Sequence, residues 1–217
     1  MAANLREAAV TDEIVLYTNP MSRGRIARWM LEEVGVPYRA EVLDYGTTMK
    51  SPDYLALNPM GKVPAIVHRG VVVTECAAIC AYLADAFPAA GLAPALDDPA
   101  RGTYLRWLFF AAGPVETAVT AKSLGLLAPT DKAAMVGYGS FEAVIDGLET
   151  AVATGPYILG DRFSAADVYV GSQIGWGLMF KSIPERPAFT AYAARIMGRE
   201  AALRARALDD ALTPAPA

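Results

Sequence analysis

Residues 14–35, IVLYTNPMSRGRIARWMLEEVG, leave little choice in how this chain begins to fold. Ile14, Val15, Leu16 and Tyr17 form a short apolar run with the β-branched and aromatic content of a buried strand. Thr18, Asn19 and Pro20 break it. From Ile26 the apolar positions Ile26, Ala27, Met30, Leu31 and Val34 recur at helical spacing, and Gly35 with Pro37 beyond it stops the helix. Ser22 stands where the polar turn meets that helix.

The pattern continues in kind. Residues 36–43 alternate Tyr38, Ala40 and Val42 against Arg39 and Glu41, which reads as a half-buried strand. Strand, helix, strand implies a parallel pair joined by a right-handed crossover. Ser51-Pro52 is an N-cap followed by proline at the first helical position, and it opens a short helix that ends before Asn58-Pro59. Two apolar runs then flank Arg69-Gly70, a hairpin signal because glycine accepts the positive φ of such turns. Glu75 opens an apolar-rich helix that runs to Phe87-Pro88, so the order to this point is βαβαββα.

Residues 89–99, rich in Pro, Gly, Ala and Asp, read as a linker. Beyond them no convincing strand occurs. Residues 101–122 are helical with a kink expected at Gly113-Pro114, and residues 130–152 carry Met135, Phe141, Val144, Ile145 and Leu148 at helical spacing. Phe163-Ser164-Ala165-Ala166-Asp167-Val168 is a capping box with a hydrophobic staple between Phe163 and Val168. In the helix that follows, Gly171, Gly175 and Gly177 make a small-residue face that admits a close neighbour. A last helix is expected from near Pro187, with a disordered tail over residues 213–217.

Composition narrows the function classes. With 217 residues and a net charge of -4, the chain is long enough to bury a substantial core and shows no basic footprint for nucleic acid or anionic lipid. Apolar residues make up 54%, but much of this is alanine and no run approaches the ~18 residues of a spanning helix. Two cysteines and an N-terminus without a basic start and apolar middle fit a cytoplasmic location, and residues 1–12 read as a loose extension. Cys76 and Cys80 lie i, i+4 on one predicted helix, not as Cys-x-x-Cys, so they read as buried structural thiols and no metal site is expected. His68, the only histidine, is expected to be exposed beside the hairpin turn.

Four segments carry a resemblance to the cytosolic glutathione S-transferase family. They are LYTNPMSRGRIARWMLEE, then NPMGKVPAI at Asn58 to Ile66, then TECAAICAYL at Thr74 to Leu83, and GPYILGDR with the FSAAD box. In this order they resemble the family's active-site loop, cis-proline segment, Glu-Ser-x-Ala-Ile signature and C-terminal folding signal. The resemblance implies an α/β thioredoxin-like domain over 13–88, a linker over 89–99 and an all-helical domain over 100–217. It also implies a homodimer whose co-substrate is glutathione, with no further cofactor, and which conjugates glutathione to a hydrophobic electrophile. The fold equally hosts glutathione-dependent isomerisation, dehalogenation or peroxide reduction, and non-catalytic binding modules.

Such a reaction requires glutathione as thiolate, whereas a free thiol has a pKa of about 8.5. Ser22 offers a hydroxyl at a helix N-terminus, and by resemblance it occupies the place where serine-using classes put their serine. Tyr17 competes, since tyrosine-using classes place a tyrosine at the end of the first strand; the sequence leaves the two open. Arg23 resembles the arginine beside the thiolate. For the tripeptide, the resemblance implies Val63 before a cis Pro64 as a backbone partner, Lys62 for the glycine carboxylate and Glu75 for the γ-glutamyl ammonium. Cys76 replaces the usual hydroxyl residue and leaves its backbone N–H. Trp107 and Phe110 are candidate walls of the electrophile pocket, with Phe109, Trp176 and Met179 as further candidates.

Overall fold

The strand-to-helix junction forms where the sequence puts it. In a computed structural model, which describes residues 12–213, β1 (Ile14–Thr18) runs into α1 (Gly24–Val34), and β2 (Tyr38–Val42) returns parallel to β1 with Ile14 opposite Tyr38. Gly35, at φ 75, ends α1 in the left-handed conformation that glycine adopts without a Cβ clash. α2 (Pro52–Leu57) starts at Ser51, whose hydroxyl accepts from the Tyr54 N–H at 3.3 Å. β3 (Ala65–His68) and β4 (Val71–Thr74) form the hairpin, with Arg69 at φ 51 and Gly70 at φ 75 supplying the two positive-φ positions of its turn. The sheet order is β2-β1-β3-β4, with β3 antiparallel to both neighbours.

Pleating divides β1 between two faces. Ile14 and Leu16 enter the core beneath α1 and α3 (Cys76–Ala86), whereas Tyr17 lies against Tyr54 of α2, ring centroids 5.5 Å apart. α4 (Ala100–Phe110) continues through a π-helical turn, Ala111–Val115, into α5 (Glu116–Ser123). Pro114 lies inside that turn, so the expected kink is absorbed as a π-bulge. The remaining helices are α6 (Phe141–Val152), α7 (Ala165–Met179), α8 (Pro187–Met197) and α9 (Glu200–Asp210). None of the described helices is long and apolar enough to cross a membrane.

α7 is the buried axis of the helical part. Asp167, fully buried, accepts from the Ser164 N–H and hydroxyl at 2.9 Å each and from the Ile158 N–H and Tyr192 hydroxyl at 2.8 Å each. Four donors offset the desolvation of this carboxylate, although burial still pushes its pKa up. The capping box expected from the sequence is thus present: the Ser164 side chain meets the Asp167 N–H, and the Asp167 carboxylate reaches back to the Ser164 N–H. Phe163 turns to Trp29, Tyr157 and Arg199, joining the two halves of the molecule. A Cβ on Gly171 would fall 1.8 Å from Ile196 Cδ1 of α8, so the small-residue face does admit a close helix.

Three expectations are corrected. Residues 130–152 are not one helix: a 3-10 segment, Thr130–Met135, is separated from α6 by Gly139 at φ 65 and by Ser140, whose hydroxyl accepts from the Ala143 N–H at 3.1 Å. The last helix is two, α8 and α9, broken at Gly198 and Arg199. His68 is buried, its Nδ1 2.9 Å from the Tyr82 hydroxyl and its ring stacked on Phe87, because the alternation of β3 turns it inward. The N-terminal extension and the tail fall outside the described residues except for Asp12 and Thr213.

Candidate active site

The turn between β1 and α1 is built by Asn19. Its side-chain amide donates to the Leu43 carbonyl at 2.8 Å, its Oδ1 accepts from the Met21 N–H at 2.9 Å, and its own carbonyl accepts from the Ser22 N–H at 3.1 Å. One buried side chain thus holds the turn against the end of β2. Arg25 Nε donates to the Pro20 carbonyl at 2.5 Å and closes the other side. Gly24 is required here, since a Cβ would fall 1.9 Å from Thr18 Oγ1. Without it α1 could not descend onto the end of β1.

Ser22 lies one residue before the N-cap, Arg23, and its hydroxyl accepts from the Gly24 N–H at 2.9 Å while donating to the Asn19 carbonyl at 2.7 Å. The Arg23 backbone N–H has no protein acceptor among the described residues. The Arg23 side chain reaches across to Glu116 of α5 at 3.1 Å, so its charge is already partly matched. The Arg23 carbonyl accepts from Cys76 Sγ at 3.6 Å, which ties the turn to the start of α3. Burial pushes the Cys76 thiol up to about 12, which leaves it a packing group.

A second loop faces this turn. The Lys62 carbonyl accepts from the Tyr54 hydroxyl at 2.6 Å and from the Asn58 side-chain amide at 2.8 Å, while the Val63-Pro64 peptide bond is cis. Neither backbone group of Val63 has a protein partner among the described residues. Glu75, exposed, caps α3 at φ 65, a conformation that costs a non-glycine residue on the order of 1–3 kcal/mol.

Between these segments and the helical part opens a cleft of about 1080 Å³. Ser22, Arg23, Lys62 and Val63 all line it, as do Met21, Tyr45 and Met49. Pro64 adjoins it in sequence, and Glu75 and Cys76 stand at the start of α3. Tyr17 does not line the cleft, because the pleat turns its ring onto Tyr54. Trp107 and Phe110 do not line it either: they pack edge to face with centroids 5.3 Å apart, and Phe110 abuts Gly147 of α6. The apolar walls come instead from Trp29 of α1, Trp176 and Met179 of α7 and Met197 of α8.

One wall was not foreseen at all. α9 contributes Ala202, Ala205, Arg206, Asp209 and Asp210, spaced at 3, 4, 7 and 8 residues along one helical face. That spacing is the signal in the sequence, but it is legible only once the break at Gly198 is known. α9 lies along α1 through four ion pairs: Arg25–Asp210 at 2.8 Å, Arg28–Asp209 at 2.7 Å, Glu32–Arg204 at 3.2 Å and Glu33–Arg199 at 2.7 Å. Among the described residues no group of three or more His, Cys, Asp or Glu is arranged to hold a metal ion.

Arrangement and sequence relationships agree. Two family models match, glutathione S-transferase N-terminal domain over residues 5–86 and glutathione S-transferase C-terminal domain over residues 116–176. A glutathione S-transferase from Hypomyces subiculosus is 30% identical over 168 residues, covering 72% of this chain and 78% of that protein. One from Xanthomonas campestris pv. campestris is 39% identical over 95 residues, 44% of this chain; the match spans 46% of that relative, less than half its length. A glutathione transferase homolog from Sulfitobacter, solved with bound glutathione, superposes with a TM-score of 0.72 at 26% identity, covering 94% of this chain and 100% of that one.

Proposed function

The chain belongs to the glutathione S-transferase family, and from that premise we propose that this glutathione transferase holds the glutathione sulfur as a thiolate beside Ser22 and directs it at an apolar electrophile. The observation that carries the reading is the head of the cleft. There the chain offers a hydroxyl on Ser22, a backbone N–H on Arg23 without a protein acceptor among the described residues, and the N-terminus of α1. Each stabilises an anion. Turning the Ser22 proton from the Asn19 carbonyl to the sulfur replaces a neutral acceptor with a charged one, which makes the stronger bond. About 2.7 kcal/mol of such preference lowers a thiol pKa by about 2 units.

The rest of the tripeptide follows the open backbone. The cysteinyl residue pairs with the free main chain of Val63, its glycine carboxylate meets Lys62, and the γ-glutamyl end meets Glu75 and the N–H of Cys76. Glu75 supports this assignment, since its unfavourable φ is an observed outlier at the point where an ammonium has to be met. Tyr17 supports the loop from below through Tyr54 and takes no part in the proton inventory. In the reaction the sulfur lone pair forms a bond to the electrophilic carbon, and in a substitution the leaving group departs with its electron pair. Trp176, Met179 and Met197 supply the apolar wall. A cytoplasmic homodimer is part of this reading and rests on family membership.

Ultraviolet difference titration of bound glutathione tests the assignment. Ser22→Ala is expected to raise the bound thiol pKa by about 1–2 units, the worth of one hydrogen bond to a charged group. Tyr17→Phe is expected to leave the titration unchanged. An unchanged titration in Ser22→Ala removes Ser22, and failure of the wild type to bind immobilised glutathione removes the glutathione reading altogether.

A further inference from the structure

Of the six charged residues that line the cleft, four are matched. Arg23 meets Glu116 at 3.1 Å, Arg25 meets Asp210 at 2.8 Å, and Asp209 meets Arg28 at 2.7 Å. Lys62 and Arg206 have no carboxylate within ion-pair distance among the described residues. Lys62 stands beside Val63, at the end assigned above to glutathione. Arg206 projects from α9, where among the described residues its guanidinium reaches only Met197 Sδ, at 3.6 Å.

The surroundings of Arg206 are apolar and small. Ala202 and Ala205 precede it on the same face of α9, with Ala193 and Met197 of α8 beside them. A slot of methyl groups and a thioether, ended at its rim by a cation, suits a ligand with an apolar body and an acidic head. Arg25 and Arg28 answer the two nearby carboxylates, so Asp209 and Asp210 do not cancel the Arg206 charge. Lining cations thus outnumber lining carboxylates in a chain whose net charge is -4.

We propose that the electrophile accepted by this transferase carries a carboxylate, and that Arg206 is the specificity-determining residue that receives it. The inference rests on the transferase reading above. A guanidinium fork matches a carboxylate in two parallel hydrogen bonds, which a neutral substrate of the same shape cannot make. Arg206 is exposed, so water competes and the preference is moderate.

The probes are 4-chloro-3,5-dinitrobenzoate and its uncharged amide, 4-chloro-3,5-dinitrobenzamide. With either, the thiolate sulfur bonds to the chlorine-bearing carbon and chloride leaves with its electron pair; the acid or amide across the ring is unchanged. After each kcat/KM is divided by the uncatalysed rate constant, the wild type is expected to favour the benzoate by about tenfold. Arg206→Gln brings that ratio to about one through KM, and Arg206→Lys keeps part of it. Binding is measured separately by quenching of tryptophan fluorescence with unreactive 3,5-dinitrobenzoate and 3,5-dinitrobenzamide, since Trp29 and Trp176 line the cleft. There Arg206→Gln is expected to weaken only the benzoate, by about tenfold. A wild-type ratio near one, or an equal fall for acid and amide in Arg206→Gln, overturns the proposal. Selective benzoate binding with no conjugation of either chloro compound supports the acid-binding role of Arg206 and overturns the transferase reading instead.

Discussion

Replacing Asp209 with alanine would test what holds α9 against α1. The Asp209 and Arg28 side chains are 0% and 4% exposed, and Oδ1 lies 2.7 Å from Nε. Burial pushes the Asp209 carboxyl up while Arg28 pulls it down, and Asp209 in turn holds the guanidinium in its charged form. In Asp209→Ala, Arg28 keeps among the described residues only the Tyr38 hydroxyl at 3.2 Å, and that hydroxyl already donates to Glu32 at 2.8 Å. A buried charge stripped of its partner costs about 3–5 kcal/mol, whereas replacing both partners with apolar groups is often neutral or stabilising. The pairs Arg25–Asp210 and Glu32–Arg204 each have one partner more than half exposed, 57% and 53%. Each is therefore worth about 0–1 kcal/mol and is screened at high salt.

Urea unfolding followed by tryptophan fluorescence would then separate the terms. Asp209→Ala should lose about 3–5 kcal/mol, the wild type in about 1 M salt no more than about 2, and Arg28→Met/Asp209→Leu should return to within about 1–2 of wild type. Because α9 carries Ala202, Ala205 and Arg206 into the cleft, the single variant should also raise KM for the electrophile more than KM for glutathione. A loss below about 1 kcal/mol in Asp209→Ala, or a double variant as unstable as the sum of its singles, would refute the reasoning.

Two further outcomes are expected. Burial, with Arg69 adding and Asp12 opposing, lowers the His68 pKa from 6.5. The unfolded chain therefore binds this proton more tightly, so the contribution is complete above about pH 6.5 and is lost as pH falls through the folded value, by at most about 1.4 kcal/mol per unit. Denaturation curves of the wild type and His68→Gln at neutral and mildly acid pH should diverge, and parallel behaviour would exclude His68 as the group. On α7, Gly171→Ala should lower stability by about 1–3 kcal/mol, because Ile196 Cδ1 lies 1.8 Å from the new carbon. Gly175→Ala meets only the flexible end of Met197, at 2.3 Å, and should change stability by less than about 1 kcal/mol once helix propensity is counted. Thermal unfolding of the two variants checks the ranking.

The order βαβαββα was legible because each of its elements is punctuated locally. Asn19-Pro20, Gly35, Ser51-Pro52 and Arg69-Gly70 act within a few residues of themselves, and the structure keeps each boundary near its signal. What failed depended on partners distant in the chain. His68 looked exposed because a turn follows it, but Phe87 and Tyr82 cover it from α3 and beyond. Tyr17 and Ser22 were equivalent by counting residues. The pleat separates them, since a strand residue is committed to one face of the sheet while a turn residue is not.

α9 shows why the electrophile wall was the least legible part. α1 has no acidic residue in its first turn and no basic one in its last; Glu32 and Glu33 stand near its C-terminus. α9 likewise ends in Asp209 and Asp210. Each helix thus carries charges against its own dipole, a bias worth about 0.3–1 kcal/mol per residue against the isolated helix. Laid antiparallel, each unfavourable end meets its complement: Arg25 and Arg28 face Asp210 and Asp209, while Glu32 and Glu33 face Arg204 and Arg199. Reversing α9 would oppose like charges at both ends. The ladder therefore fixes direction and register as well as attraction, and it places Arg206 on the cleft side by the same geometry that buries Asp209. A substitution that shifts α9 by one residue would carry Arg206 about 100° around the helix axis and out of the slot. The specificity proposed for Arg206 is thus as dependent on the Arg28–Asp209 pair as on the guanidinium itself.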